Sequence, residues 1–214
     1  MNKADLPVIQ DTLLDNESAE LEKQMTPEET TLYQRFKSVV GKIFVPSNPH
    51  PMFYPWGTED PVQWSGIKRW ATINGDFNAL WFDEVYARST RWGGVIAPPS
   101  YLLALDDPVA VAEDFVGEIY GEDCVLKRDK FPTFRGSMMA NAEYEFFAPV
   151  RPGDRIDVTR KCTDIYWRRG KRYRLLFLFG ETSYQNQRNE PVALSKGGAV
   201  YMFKYLNAAD TGVK

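Results

Sequence analysis

The nonamer Gly75-Asp76-Phe77-Asn78-Ala79-Leu80-Trp81-Phe82-Asp83 gathers the side chains best suited to chemistry. A carboxylate such as Asp76 can take a proton from water, and a carboxamide such as Asn78 can orient a ligand. The indole of Trp81 is a hydrogen-bond donor only and does not titrate near neutral pH. An imidazole, which can both take and return a proton there, is missing from the segment. The chain's single histidine, His50, lies upstream in a proline-rich stretch. Two readings of Asp76 stand side by side. It is a residual base, or it caps a turn, since Asn74-Gly75-Asp76 is turn chemistry. Asn78 divides in the same way between orienting a ligand and holding the loop by side-chain-to-backbone bonds.

Other reactive residues are sparse. Cys124 and Cys162 are the only cysteines. In an acidic chain without disulfide-rich character they are expected to be free, and neither has a histidine partner that would make it a nucleophile. No CxxC pair or HExxH helix is present, so no metal site is expected. Arg168, Arg169, Lys171 and Arg172 cluster around Gly170. They suit phosphate recognition, or they are solvated charges on a hairpin tip.

The 214 residues suit one large domain, or one domain with an extension. They are 43% hydrophobic and 14% aromatic, enough for a sizeable core. A net charge of −3 speaks against a nucleic-acid surface. The first residues are polar and charged, unlike a signal peptide, and no apolar run is long enough for a membrane span. The expected location is cytoplasmic.

The elements that must position the nonamer follow from pattern. Residues 1–25 are polar and acidic and read as loose or draped over a partner. Thr26-Pro27-Glu28-Glu29 predicts a capping box opening a helix to about Val40. Residues 45–58 carry four prolines and read as irregular. Asp60-Pro61 predicts a second helix to about Ile73, with the nonamer at its end. Asp83 is expected to cap a short helix over 84–89, Arg91-Trp92-Gly93-Gly94 to form a turn, and Pro98-Pro99 to precede a helical stretch from Ser100 to Leu105. Beyond Phe134 the aromatic and β-branched spacing predicts strands over 137–148, 154–167, 172–186 and 191–205. Hairpin-type connections are expected at 150–153, 168–171 and 187–190. Helices followed by antiparallel strands indicate an α+β fold.

The order of GDFNALWFDEVYARSTRWGGVIAPPSYL (75–102), PVRPGDRI (149–156) and ETSYQNQRNEPVA (181–193) resembles the MaoC-like acyl-CoA hydratases and dehydratases. The closest type is the N-terminal dehydratase domain related to fungal fatty-acid synthase. The resemblance implies a hot-dog fold, a curved antiparallel sheet wrapped around a central helix, here with an N-terminal helical extension. The corresponding boundaries are 1–58 for an extension with one helix and a proline-rich loop, 59–207 for the hot-dog domain and 208–214 for a tail. It also implies reversible addition of water to a trans-2-enoyl thioester. Coenzyme A or a carrier protein is then part of the substrate, and no separate cofactor is needed.

The family motif is close to GDxNPLHxD. Its aspartate falls on Asp76, its asparagine on Asn78 and its histidine on Trp81. Where the pattern has histidine-glycine after an alanine, this chain has Ala97-Pro98-Pro99-Ser100. Pro99 falls on a glycine whose N–H would serve a developing oxyanion, and proline has none. The resemblance thus implies a subunit that shapes an acyl pocket through Asn78, Trp81, Trp92, Gly93, Gly94, Pro98, Pro99 and Tyr101. The aspartate–histidine pair would come from a small MaoC-like partner with an intact motif, in a dimer or heterotetramer. Two other readings remain: a self-sufficient hydratase or thioesterase using Asp76 or His50, and a non-enzymatic acyl-CoA-binding protein.

Overall fold

A computed structural model describes residues 8–44, 61–105 and 131–206 of the protein, with side chains from Asp15 and excluding that of Phe44. His50, Cys124, Asp60 and the proline-rich segment lie outside the described residues.

Four long strands, β2 (Phe134–Phe146), β3 (Ile156–Arg169), β4 (Tyr173–Asn186) and β5 (Pro191–Lys204), form an antiparallel sheet with a two-residue β1 (Ile43–Phe44). The spatial order is β1-β3-β4-β5-β2. Hairpins join β3 to β4 and β4 to β5, as the turn residues predict. The expected hairpin between β2 and β3 does not form, because those strands sit on opposite sides of the β4–β5 pair. The connecting residues instead cross the end of the sheet. Val62 and the turn beyond Arg151 hold them there: the Val62 N–H donates to the Asp154 carbonyl at 2.7 Å, and the Gly153 N–H to the Val62 carbonyl at 2.8 Å. The same pairing explains why the helix expected from Pro61 starts later. Val62 is committed to an extended bridge, so α3 spans only Trp64–Ile73.

The buried residues of β4, Arg174, Leu176, Leu178, Tyr184 and Asn186, share one parity and therefore one face. On β3 a bulge between Cys162 and Asp164 inserts a residue, so burial passes from Val158 and Cys162 to Ile165 and Trp167 without leaving that face. This inner face carries two apolar clusters, one at each end. At the β3–β4 hairpin end, Trp167, Leu176 and Phe203 pack against Leu21 and against Leu32, Tyr33 and Phe36. At the far end, Ile156, Val158, Tyr184 and Ala193 pack against Ile67, Ala71, Trp81 and Ile96.

The first cluster is covered by α1 (Val8–Glu22) and α2 (Pro27–Val39). In α2 the predicted capping box is complete. Thr26 accepts from the Glu29 N–H, and the Glu29 carboxylate accepts from the Thr26 N–H, each at 3.2 Å. The residues read as loose contain α1, which packs along β3. Leu21 is fully buried, and the Ser18 hydroxyl accepts the Trp167 N–H at 3.0 Å. Packing, rather than helix propensity, makes this helix.

Cys162 is a free, buried thiol. Burial pushes it up to about 11, aided by the charge of Asp164. At pH 8 the native chain should therefore leave Cys162 unalkylated by iodoacetamide over hours, with reaction only after unfolding in urea, as mass spectrometry of the peptide would show.

Candidate functional site

The nonamer begins where α3 ends. Asn74 closes the helix, and Gly75, at φ +68°, takes the left-handed conformation that turns the chain away. The Asp76 N–H donates to the Ala71 carbonyl, and the Asp76 carboxylate accepts the Asn78 N–H at 3.3 Å. Asn78 in turn caps α4 (Ala79–Phe82), its side-chain oxygen accepting the Leu80 N–H at 3.0 Å. Asp83 caps α5 (Glu84–Ser89) by accepting the Tyr86 N–H at 3.0 Å, as predicted. The polar side chains of the motif are thus engaged with its own backbone. Losing one exposed cap of this kind costs about 1 kcal/mol, so Asn78→Ala should lower the urea-unfolding free energy by that amount without changing the fold.

These caps aim Trp81 inward. It is 6% exposed, and its carbonyl accepts the Trp64 indole N–H at 2.8 Å, which ties α4 to the start of α3. Its own indole N–H has no acceptor. Trp81 and Leu80 form one wall of a cavity of about 220 Å³. Trp92, Ile96, Ala97, Pro98, Pro99 and Leu102 form a second wall, and the crossing segment Phe146–Val150 with Val192 closes the third. The Ala97 N–H donates to the Val150 carbonyl at 2.8 Å and fixes the second wall to the third.

Among the described residues, no side chain lining this cavity titrates. The nearby buried phenols are driven further from neutrality. Burial raises Tyr101, and burial with the neighbouring Tyr144 pushes Tyr184 up to about 12 despite the opposing charge of Arg160. Neither is tuned for proton transfer at pH 7. Pro98 and Pro99 open the 3₁₀ turn Pro99–Tyr101 that leads into α6 (Leu102–Leu105). Neither offers an N–H toward the cavity.

Of the residues expected from sequence, Trp81, Trp92, Pro98 and Pro99 line the cavity together, while Asp76, Asn78, Gly93, Gly94 and Tyr101 stand outside its wall. Tyr101 packs edge-on to Trp70 beneath α3, their ring centres 6.3 Å apart. Its hydroxyl lies 2.8 Å from where a Cβ on Gly66 would stand, so a larger residue there would have to displace the phenol. The basic cluster of Arg168, Arg169, Lys171 and Arg172 sits at the β3–β4 hairpin, the opposite end of the sheet. Strands of this length place it roughly 40 Å from the cavity along β3. Arg168 pairs with Glu17 at 3.9 Å and stacks on Tyr166, and Arg169 stacks on Tyr205, so these arginines help dock α1.

Sequence reasoning missed the third wall. Phe146-Phe147-Ala148-Pro149-Val150 reads as the end of a strand, and only its crossing over the sheet brings it to Trp81. Among the described residues no group of His, Cys, Asp and Glu could hold a metal ion, and no helix is long and apolar enough to cross a membrane.

Residues 55–195 match the family described as FAS1-like, dehydratase domain region. A UPF0336 protein of Streptomyces avermitilis is 28% identical over 129 residues, covering 60% of this chain and 72% of its own length. The ChsH1–ChsH2 complex of Mycobacterium tuberculosis superposes with a TM-score of 0.59 at 18% identity, covering 85% of this chain and 93% of that one. The C-terminally truncated HadBC (3R-hydroxyacyl-ACP dehydratase) complex of the same organism gives 0.51 at 15% identity, covering 76% and 96%. At these identities the two complexes share the fold with this chain.

Proposed function

Since this chain belongs to the FAS1-like dehydratase family, with the hot-dog fold of MaoC-like dehydratases, we propose that it is the pocket-forming subunit of a heteromeric enoyl-thioester hydratase or dehydratase. The observation that carries the reading is the cavity: closed on three sides by apolar and aromatic side chains, it suits an acyl chain, and the described residues of its lining include no acid or base. Addition of water across an enoyl double bond needs one group to remove a proton and another to supply one. Trp81 at the histidine position takes one proton-transfer group from this chain's own half, and Pro99 at the oxyanion-donor position takes a backbone N–H from it.

A small MaoC-like subunit with an intact GDxNPLHxD motif then supplies the aspartate and histidine. The surface that suits it is β2. Among the described residues this thirteen-residue strand pairs on one side only, with β5. Met138 and Met139 on it are 56% and 73% exposed, and Phe146 and Phe147 at its end are about half exposed. A long exposed strand of this kind is a template for strand addition. The names of both superposed complexes join two subunits, which agrees with such pairing. The test is hydration of crotonyl-CoA, or of a bulkier enoyl-CoA, by this chain with and without the partner subunit.

A further inference from the structure

Two guanidinium groups converge on Trp92, the half-buried residue that forms part of the cavity wall. Arg91 stacks over the indole, its guanidinium carbon 4.4 Å from the ring centre. Arg151, arriving from the segment that crosses the sheet end, donates from one terminal nitrogen to the Trp92 carbonyl at 2.7 Å. Its other terminal nitrogen lies beside Gly94, 3.7 Å from where a Cβ would be, so the group spans the Trp92–Gly94 turn. Among the described residues, no carboxylate is ion-paired with the guanidinium of Arg91 or Arg151. Asp154, three residues beyond Arg151, is already committed: it accepts from Arg188 and from the Arg151 backbone N–H. Exposed arginine on a polar surface is ordinary. Two of them fixed to one tryptophan at the edge of an apolar cavity, with no balancing carboxylate among the described residues, form a preorganised anion site.

We propose that Arg91 and Arg151 form an anion subsite at the rim of the cavity, which takes the phosphate-bearing head of a ligand whose acyl part fills the cavity. The inference rests on the pocket-forming reading and assigns the charged end of the same substrate. The subsite stands at the cavity's own end of the sheet, apart from the basic cluster at the β3–β4 hairpin. The shared chemistry is phosphate on a thioester arm, whether from coenzyme A or from the prosthetic arm of a carrier protein.

Calorimetry on the full-length chain with three octanoyl thioesters tests it: those of coenzyme A, of 4′-phosphopantetheine and of N-acetylcysteamine, the last lacking phosphate. The Arg91→Gln/Arg151→Gln double variant should bind the coenzyme A thioester at least tenfold more weakly and the N-acetylcysteamine thioester unchanged. Raising NaCl should weaken only the phosphorylated ligands. Weakening of the phosphopantetheine thioester as well assigns the site to the arm's phosphate; weakening of the coenzyme A thioester alone assigns it to the nucleotide phosphates. Unchanged coenzyme A thioester binding in the variant, or equal loss of all three ligands, overturns the subsite. If the native chain binds the N-acetylcysteamine thioester but the coenzyme A thioester no better, the subsite fails and the pocket stands. Binding of none of the three overturns both.

Discussion

Replacing Arg174 by Met should destabilise the chain by about 3–5 kcal/mol and lower its thermal midpoint by on the order of 10 °C. Arg174 and Glu29 form an ion pair at 2.9 Å with side chains 0% and 1% exposed. The guanidinium also donates to the Lys204 carbonyl from two nitrogens and to the Gln24 carbonyl, and Glu29 accepts from Thr133 and from the capping-box N–H of Thr26. One buried network thereby joins the start of α2, the loop after α1, β4 and the end of β5. Removing the cation strands the Glu29 carboxylate in a dry environment, which is where the large cost arises. The pair itself contributes little net stability over an apolar substitute, so Glu29→Leu/Arg174→Met should recover most of the loss. Urea titration of the single and double variants measures both. A single-variant cost below about 1 kcal/mol would show that water reaches the pair. The cavity lies at the other end of the sheet, so ligand binding by the folded fraction should be unaffected.

The parts of this fold encoded by local chemistry were legible in the sequence. Thr26 and Glu29 announce a helix start because the two caps are reciprocal and need no tertiary partner. Asp83 does the same for α5, and alternation with turn residues gives the four strands within a few positions. What depends on distant partners was hidden. The sequence of α1 is acidic with no strong apolar stripe, and it folds because Leu21 and Ser18 find the inner face of the sheet. Pro152-Gly153 has hairpin chemistry, yet the strands it joins are not neighbours, since sheet order is decided by the packing of whole faces. Pro61 suits a helix start, but Val62 is held extended by its bonds to the crossing segment.

The site divides in the same way. The nonamer located Trp81, and the Pro98-Pro99 pair located the second wall. Asp76 and Asn78, which carry the family chemistry in the resemblance, each accept the backbone N–H two residues on, and the cavity wall passes them by. Arg151 sits within PVRPGD, a segment whose value as a motif could be read, but whose contact with Trp92 spans 59 positions of sequence. The hairpin cluster around Gly170 looked basic enough for phosphate and proved to be a sheet's length away.

The second large effect is catalytic, and it is the most direct test of a pocket without its own acid and base. Crotonyl-CoA or a bulkier enoyl-CoA is followed by loss of the absorbance of the conjugated thioester, first with this chain alone and then with the small MaoC-like subunit added in equal amount. Proton transfer by positioned groups contributes roughly 10²–10⁴-fold in rate, so the chain alone should stay at the uncatalysed rate and the mixture should rise by at least that factor. Turnover at the full rate by the purified chain alone would contradict the division of labour between two subunits.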